Sequence, residues 1–450
     1  MFDRKKGNCL AVRGKSSNFA NGRLRMKTFS YSDIQTFFEL LRAGLFPVHD
    51  EGGMERDSLF KDVDWGKVYQ LAHEQSVQGL VLQGIETVLC KQSEQVRAQG
   101  SCVPIPADAP TRSLSVASEQ SSSAPLVPQT LLLQWIGEVQ MIEQRNKEMN
   151  VFVAELMEKL RGAGIYTLLV KGQGVAQCYE KPLWRACGDV DLLLNDSNYE
   201  KAKEFLTPLA EKIEEENEKR RHFAMTIDGW SVELHGTLRG YSKRITRVID
   251  EVQHDVFRDG NVRSWQNGNT EVLLPRADED VIFVFTHILQ HFYVSGIGLR
   301  QICDWCRLLY TYKESLNCEL LESRIRKAGI MGEWEAFGAF AIEYLGMPVE
   351  TMPFVDLRGM KDESKCEDKR LKRKADRVLK LVLESGNFGR NRDFSYKQKY
   401  PFVIRYAMSF WFYTKLAMQR FAISPRNVFL SWWSIVKIGA GAAVKAVRST

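Results

Sequence analysis

The chain has 450 residues, 44% of them hydrophobic and 26% charged, which excludes a collagen-like or fully disordered protein and leaves room for two or three structural units. Its formal charge of +6 is uneven. Residues 1–27 hold eight Lys/Arg and one acid and residues 394–450 hold nine Lys/Arg and no acid, so the body between them carries 45 bases against 55 acids. Nine cysteines, odd in number and scattered, argue against a disulfide framework and for a reducing cytoplasm.

The N-terminus lacks the apolar run of about 7–15 residues that a secretory signal requires. Met26 opens a stretch that reads more naturally as a start than Met1 does, so residues 1–25 read either as a misassigned start or as part of a basic disordered arm, 1–29. "SYSDIQTFFELLRAGLF" (30–46) has apolar residues at helical spacing behind a Ser/Asp cap, and residues 64–89 predict a helix pair. A Ser/Ala/Pro-rich stretch, 100–129, reads as a flexible insertion. Residues 130–162 form a long amphipathic helix with Gly162 as C-cap.

The period then changes. "IYTLLVKGQG" (165–174) is a short strand running into glycines and a helix near 175–179, and "DVDLLL" (189–194) is a second strand. "NDSNYEKAKEFLTPL" caps and starts a helix. The charged run 210–221 reads as that helix's solvated end. "HFAMTIDGWSVELHGTL" (222–238) predicts a hairpin turning at Asp228-Gly229. From Arg276 the chain is helical again, with Asp278 as a candidate N-cap and a helix starting at Gly298. The expected class is α+β, a small mixed sheet between helical flanks. The expected units are a helical region 30–99, a core with its leading helix 130–275, a helical domain 276–393 and a basic aromatic tail 394–450.

In a strand alternate side chains share a face, so Asp189 and Asp191 project together while Val190 and Leu192 point the other way. In "WSVELH" the same parity aligns Ser231, Glu233 and His235, and a hairpin beside the first strand adds Glu233 to the pair. Carboxylates this close repel unless a cation lies between them, and hard Mg²⁺ suits them, with Mn²⁺ as an alternative ion. Lys171, Gly172 and Gly174 occupy a strand-to-helix turn whose amides can hold phosphate. Arg185 can add a charge-assisted contact.

The order "LLVKGQG", "WRACGDVDLLL", "SVELH" resembles the DNA-polymerase-β-type nucleotidyltransferase superfamily. It is more closely similar to a bacterial group of nucleotidyltransferases with a Lys-Gly turn, an Arg before an Asp-x-Asp strand and a Glu-Leu-His strand. The resemblance covers about residues 64–304. It implies a polymerase-β-like core in which Asp189, Asp191 and Glu233 hold two metal ions and the glycine turn holds a nucleoside triphosphate. An NMP would pass to a hydroxyl acceptor of unknown identity, with release of pyrophosphate. Gly172-Gln173-Gly174 departs from the Gly-Ser or Gly-Gly common in the superfamily, which weakens the triphosphate assignment relative to the metal one. The rival reading is a non-catalytic nucleotide-binding or membrane-associated scaffold on the same fold.

His235 could contact metal or nucleotide, or be a hydrogen-bonded structural histidine. "THILQHF" places His287 and His291 one turn apart, and "CDWC" does the same for Cys303 and Cys306. These four form a conceivable zinc set, although a polar network of His287, His291, Arg300 and Asp304 lining the cleft fits the resemblance better. The acid-free end mixes bases with Trp411, Phe412, Trp432 and Trp433. Its bases interrupt every apolar run before about 20 residues, so it suits either an anionic membrane surface, which would place a cytoplasmic protein peripherally at the inner face, or packing on the acidic body. No specific nucleic-acid motif accompanies it.

Overall fold

The computed structural model describes residues 29–46, 62–99, 127–239, 242–258, 262–354, 366–389 and 400–448, with Phe60, Gly260 and Asn391. Most of the expected basic arm and flexible insertion therefore lies outside the described residues.

Five strands form the central sheet: β1 (Leu168–Val170), β2 (Asp189–Leu193), β3 (Lys212–Ile213), β4 (His222–Ile227) and β5 (Trp230–His235). Their order is β1-β2-β5-β4-β3. Only the β2/β5 pair is parallel and the other three are antiparallel, so the sheet is mixed, as expected. The β4–β5 hairpin turns at Asp228 and Gly229, with φ of 51° and 75°. Two successive positive φ angles match the right-handed twist of the flanking strands, which is why Asp-Gly serves here.

The charged run 210–221 departs from the sequence reading. It is not a helix end: Lys212 and Ile213 pair with Thr226 and Met225 as the edge strand β3, and Asn217 bridges His222. The outer rim of β4 needs hydrogen-bond partners, and an exposed strand rich in charge both supplies them and discourages further pairing. A second hairpin, β6 (Arg263–Asn267) and β7 (Thr270–Leu274), was not among the elements expected from the sequence. Its Val272 and Leu274 join the sheet's core.

Helices enclose the sheet. On one side α4 (Gln129–Gly162) and α6 (Asp196–Leu206) bury Phe152, Val153, Leu156, Tyr199 and Leu206 against Val190, Leu192, Val232 and Leu234. Helix α4 runs through Gly162 and is capped by Ala163. The left-handed position belongs to Gly164, φ 69°, two residues beyond the expected cap. Between β1 and β2 lies the short α5 (Gly172–Ala176).

The larger, helical core gathers α1 (Tyr31–Leu45), α2 (Trp65–Gln75), α3 (Gln78–Gln99), α7 (Lys243–Arg258), α8 (Ala277–Val294), α9 (Leu299–Tyr312), α10 (Cys318–Ala328), α11 (Met331–Leu345) and α12 (Cys366–Ser385). Ser30 and Asp33 close a reciprocal capping box on α1, as the sequence suggests. In α8 the N-cap is Arg276 rather than Asp278, with Glu279 reaching back to its amide at 3.1 Å. Asp278 instead accepts from the Asn317 amide at 3.1 Å. Helices α13 (Phe402–Arg420) and α14 (Pro425–Arg448) close the chain. Among the described residues no helix is long and apolar enough to cross a membrane.

Candidate active site

Strand parity and register assemble the site. Asp191 stands directly opposite Glu233 across the parallel β2/β5 pair, and Asp189 opposite Ser231. Val190, Leu192, Val232 and Leu234 are fully buried on the other face, and this apolar packing fixes which way the acids point. One carboxylate oxygen from each of Asp189, Asp191 and Glu233 can be chosen so that all three lie within 4.8 Å of one another.

Lys171 and two histidines balance part of this charge. The β1–α5 turn holds Lys171 at φ 58° and ψ −144°, a backbone region that a residue with a Cβ rarely adopts. Its Nζ donates to Asp191 Oδ1 at 2.8 Å, and His235 Nε2 meets the same oxygen at 2.7 Å. His222 Nε2 lies 3.0 Å from Glu233 Oε2. Burial opposes ionisation of Asp191, but the Lys171 ammonium and the His235 hydrogen bond outweigh it and hold that carboxyl below its usual range. Glu233 is lowered in the same way, with burial overcome by His222 and His235. Asp189 moves oppositely: the Asp191 charge first, then burial and Glu233, push it up to about 6. Burial and Lys171 work against a charged His235, yet its bonds to Asp191 and Glu233 raise its pKa.

A cleft of about 170 Å³ opens over this face, bordered by Lys171, Gly172, the acids and residues of α8 and α9. Gly172 lies at its rim, φ 37°, and a Cβ there would come 3.4 Å from the Asp189 carbonyl oxygen. Gly174 has a different environment. A Cβ at that position would come 2.8 Å from Leu274 Cδ2, so close packing of α5 on β7 accounts for this glycine, not access to the cleft.

Arg185 borders the cleft and is also bound to its wall. Its guanidinium grips Asp304 of α9 through two bonds, Nε to Oδ1 at 2.9 Å and Nη2 to Oδ2 at 2.6 Å. Both residues are buried. Tyr179 Oη donates to the same Asp304 at 2.8 Å, and Asn146 of α4 donates to the Leu183 and Arg185 carbonyls at 2.7 and 2.8 Å. Arg185 therefore ties the loop before β2 to the helical wall, with its fork already engaged. Arg300 borders the same cleft, donating from Nη1 to the Ala186 carbonyl at 2.8 Å. Burial first, then the nearby Arg185, lower its pKa.

His287 and His291 border the cleft from α8, with ring centroids 4.5 Å apart. Burial and then Lys171 depress both, His287 well below its ordinary value and His291 to about 4. They present neutral imidazoles to the site at neutral pH. The conceivable zinc set does not form. The metal-competent groups among the described residues are Asp189/Asp191/Glu233 and His222/Glu233/His235, and neither includes His287, His291, Cys303 or Cys306.

Two contributors escaped the sequence reading: Tyr179 and His222. The signal for His222 was present, because a two-residue turn at 228–229 pairs it with His235.

A mixed sheet with carboxylates on adjacent strands and a Lys-Gly turn, set in helical flanks, defines an α+β nucleotidyltransferase-like fold. The chain belongs to a family of uncharacterised nucleotidyltransferases, whose model matches residues 61–345. No curated protein and no solved structure matches it.

Proposed function

We propose that this protein transfers a nucleoside monophosphate from a nucleoside triphosphate to a hydroxyl acceptor, releasing pyrophosphate. The observation that carries the reading is the trio Asp189, Asp191 and Glu233, three carboxylates converging on one sheet face beside a cationic turn. The donor set fits divalent cations. Its oxygens are hard, they are close enough to share ions, and they carry more negative charge than Lys171 alone neutralises. Asp189, Asp191 and Glu233 would hold Mg²⁺ or Mn²⁺, which when bound supplies Lewis-acid stabilisation of charge on the phosphates.

The chain's own residues do the rest. Gly172 and the start of α5 border the position for the triphosphate, with Lys171 and Arg300 supplying positive charge there. The acceptor hydroxyl attacks the α-phosphorus, and the bond from that phosphorus to the bridging oxygen of the leaving pyrophosphate breaks. Asp189, whose carboxyl is pushed up to about 6, accepts the hydroxyl proton, while the hydrogen bonds of His222 and His235 keep Glu233 ionised. Neutral His287 and His291 offer hydrogen bonds to substrate without adding charge. Arg185 and Asp304 hold the β2 approach and the α9 wall in register.

The test is pyrophosphate formation from each of the four NTPs with Mg²⁺ or Mn²⁺, in the presence of an extract as acceptor source. Metal-dependent release that disappears in Asp191→Asn supports transfer. Tight NTP binding with no release under any condition would favour a non-catalytic nucleotide-binding scaffold.

A further inference from the structure

The α13–α14 hairpin is the part of the molecule that the reaction does not use, and its surface is unlike the rest. Of the twenty large hydrophobic residues exposed among the described residues, ten lie between Tyr400 and Trp433. Residues 394–450 contain nine bases and no acid. Along α13 the exposed positions Ile404, Met408, Trp411, Lys415 and Met418 fall at i, i+4, i+7, i+11 and i+14, one stripe of the helix. Along α14, Arg426, Phe429, Leu430, Trp433 and Lys437 are exposed together, and Lys437 Nζ rests 5.5 Å from the Trp433 ring centroid.

The opposite faces are anchored. Arg420 Nη1 donates to the Tyr293 carbonyl at 2.8 Å, and Asn427 Nδ2 to the Gly329 carbonyl at 2.8 Å and Glu333 Oε1 at 2.6 Å. Ile423 and Val428 are buried in the helical core. Trp432 Nε1 reaches Thr414 Oγ1 at 2.9 Å, joining the two helices. The hairpin is thus fixed to the body at its turn, leaving an apolar face bordered by positive charge.

We propose that this hairpin is a peripheral membrane anchor that lays its Trp411 and Trp433 face on an anionic lipid bilayer. The charge selects this occupant: the acid-free segment is attracted to anionic headgroups, while indole rings and aliphatic side chains partition at the headgroup boundary. Lys415 lies inside the apolar stripe and Arg426 and Lys437 are exposed beside Phe429 and Trp433, an arrangement suited to lying in the interface rather than crossing it. This inference does not depend on the nucleotidyl-transfer reading, and its test needs no nucleotide.

Flotation of the full-length protein with vesicles of phosphatidylcholine alone, and of phosphatidylcholine with phosphatidylglycerol, reads the proposal directly. The protein should partition at least about tenfold more strongly onto the anionic vesicles and be largely released by high salt. The Trp411→Ser/Trp433→Ser variant should lose about tenfold or more of that partition with unchanged thermal unfolding. Both positions are surface-exposed, and a Lys415→Gln/Lys437→Gln variant gives an independent check if the first misfolds. Equal affinity for neutral and anionic vesicles, or unchanged partition of both variants, would overturn the proposal. So would a lipid-free dimer, or oligonucleotide binding stronger than vesicle binding, that the same substitutions abolish.

Discussion

Two charge groups lie on neighbouring walls of one cleft, and they are built in opposite ways. Arg185 and Asp304 form a closed pair: two direct bonds, with Tyr179 on the same carboxylate. Asp189, Asp191 and Glu233 are instead an open group, in which three like-charged side chains share one full ammonium and imidazoles. A closed pair holds structure together. An open one stores repulsion that only a cation or a proton relieves, and a site that must bind positive charge needs that imbalance.

Substitution should separate the two groups. The largest effect is expected on activity: Asp191→Asn should lower metal-dependent transfer by about three orders of magnitude while the protein stays folded by circular dichroism. Retained activity in the folded variant would place the chemistry elsewhere. On stability, Arg185→Met should cost about 3–5 kcal/mol in denaturant unfolding, because Asp304 is left buried and charged. An Arg185→Met/Asp304→Leu double variant should recover much of it.

Asp189→Asn should act in the reverse direction. The Asp191 charge, burial and Glu233 raise Asp189 to about 6 from an ordinary value near 4, so folding loses stability as pH rises through that window and carries the full penalty above it. Removing the charge should therefore stabilise the metal-free protein at neutral pH, on the order of 2–3 kcal/mol from a shift of about two units. A destabilised Asn variant would show that the open group is instead held together by bonds.

The smallest effect concerns the α8 wall. Burial and Lys171 lower His291 to about 4, so below about pH 6.5 the unfolded chain binds a proton that the folded chain refuses. Stability should fall on acidification by roughly 2 kcal/mol at about pH 5 from this group. His291→Gln should flatten the slope by that amount in denaturant titrations at the two pH values.

Much of this contrast was legible in the sequence, and the illegible parts have identifiable causes. Period-two parity placed Asp189, Asp191 and Glu233 on one face because the intervening Val190, Leu192, Val232 and Leu234 leave no other register that buries them. The Asp-Gly turn fixed the β4–β5 pairing and, followed to its end, also brings His222 opposite His235. What local pattern could not carry was partnership across the chain. Arg185 and Asp304 are 119 residues apart, and nothing near Arg185 distinguishes a phosphate-binding guanidinium from one gripping a helix. The edge strand β3 escaped because an exposed strand needs little apolar periodicity, so propensity read Lys212 and Ile213 as part of a charged helix end, whereas the hairpin β6–β7 carries its own signal, a turn at Gly268 and alternating burial along β7. Gly174 was ambiguous for a related reason: a glycine required for packing looks the same in sequence as one required for phosphate.

The central claim is that the carboxylate face moves a nucleotide, and the position of the transferred label tests it most directly. Incubated with metal and acceptor extract, the protein should transfer label from NTP labelled at the α-phosphate, and none from NTP labelled at the γ-phosphate. Label arriving from the γ-position would contradict the account, because it would make the same face a site of terminal phosphoryl transfer.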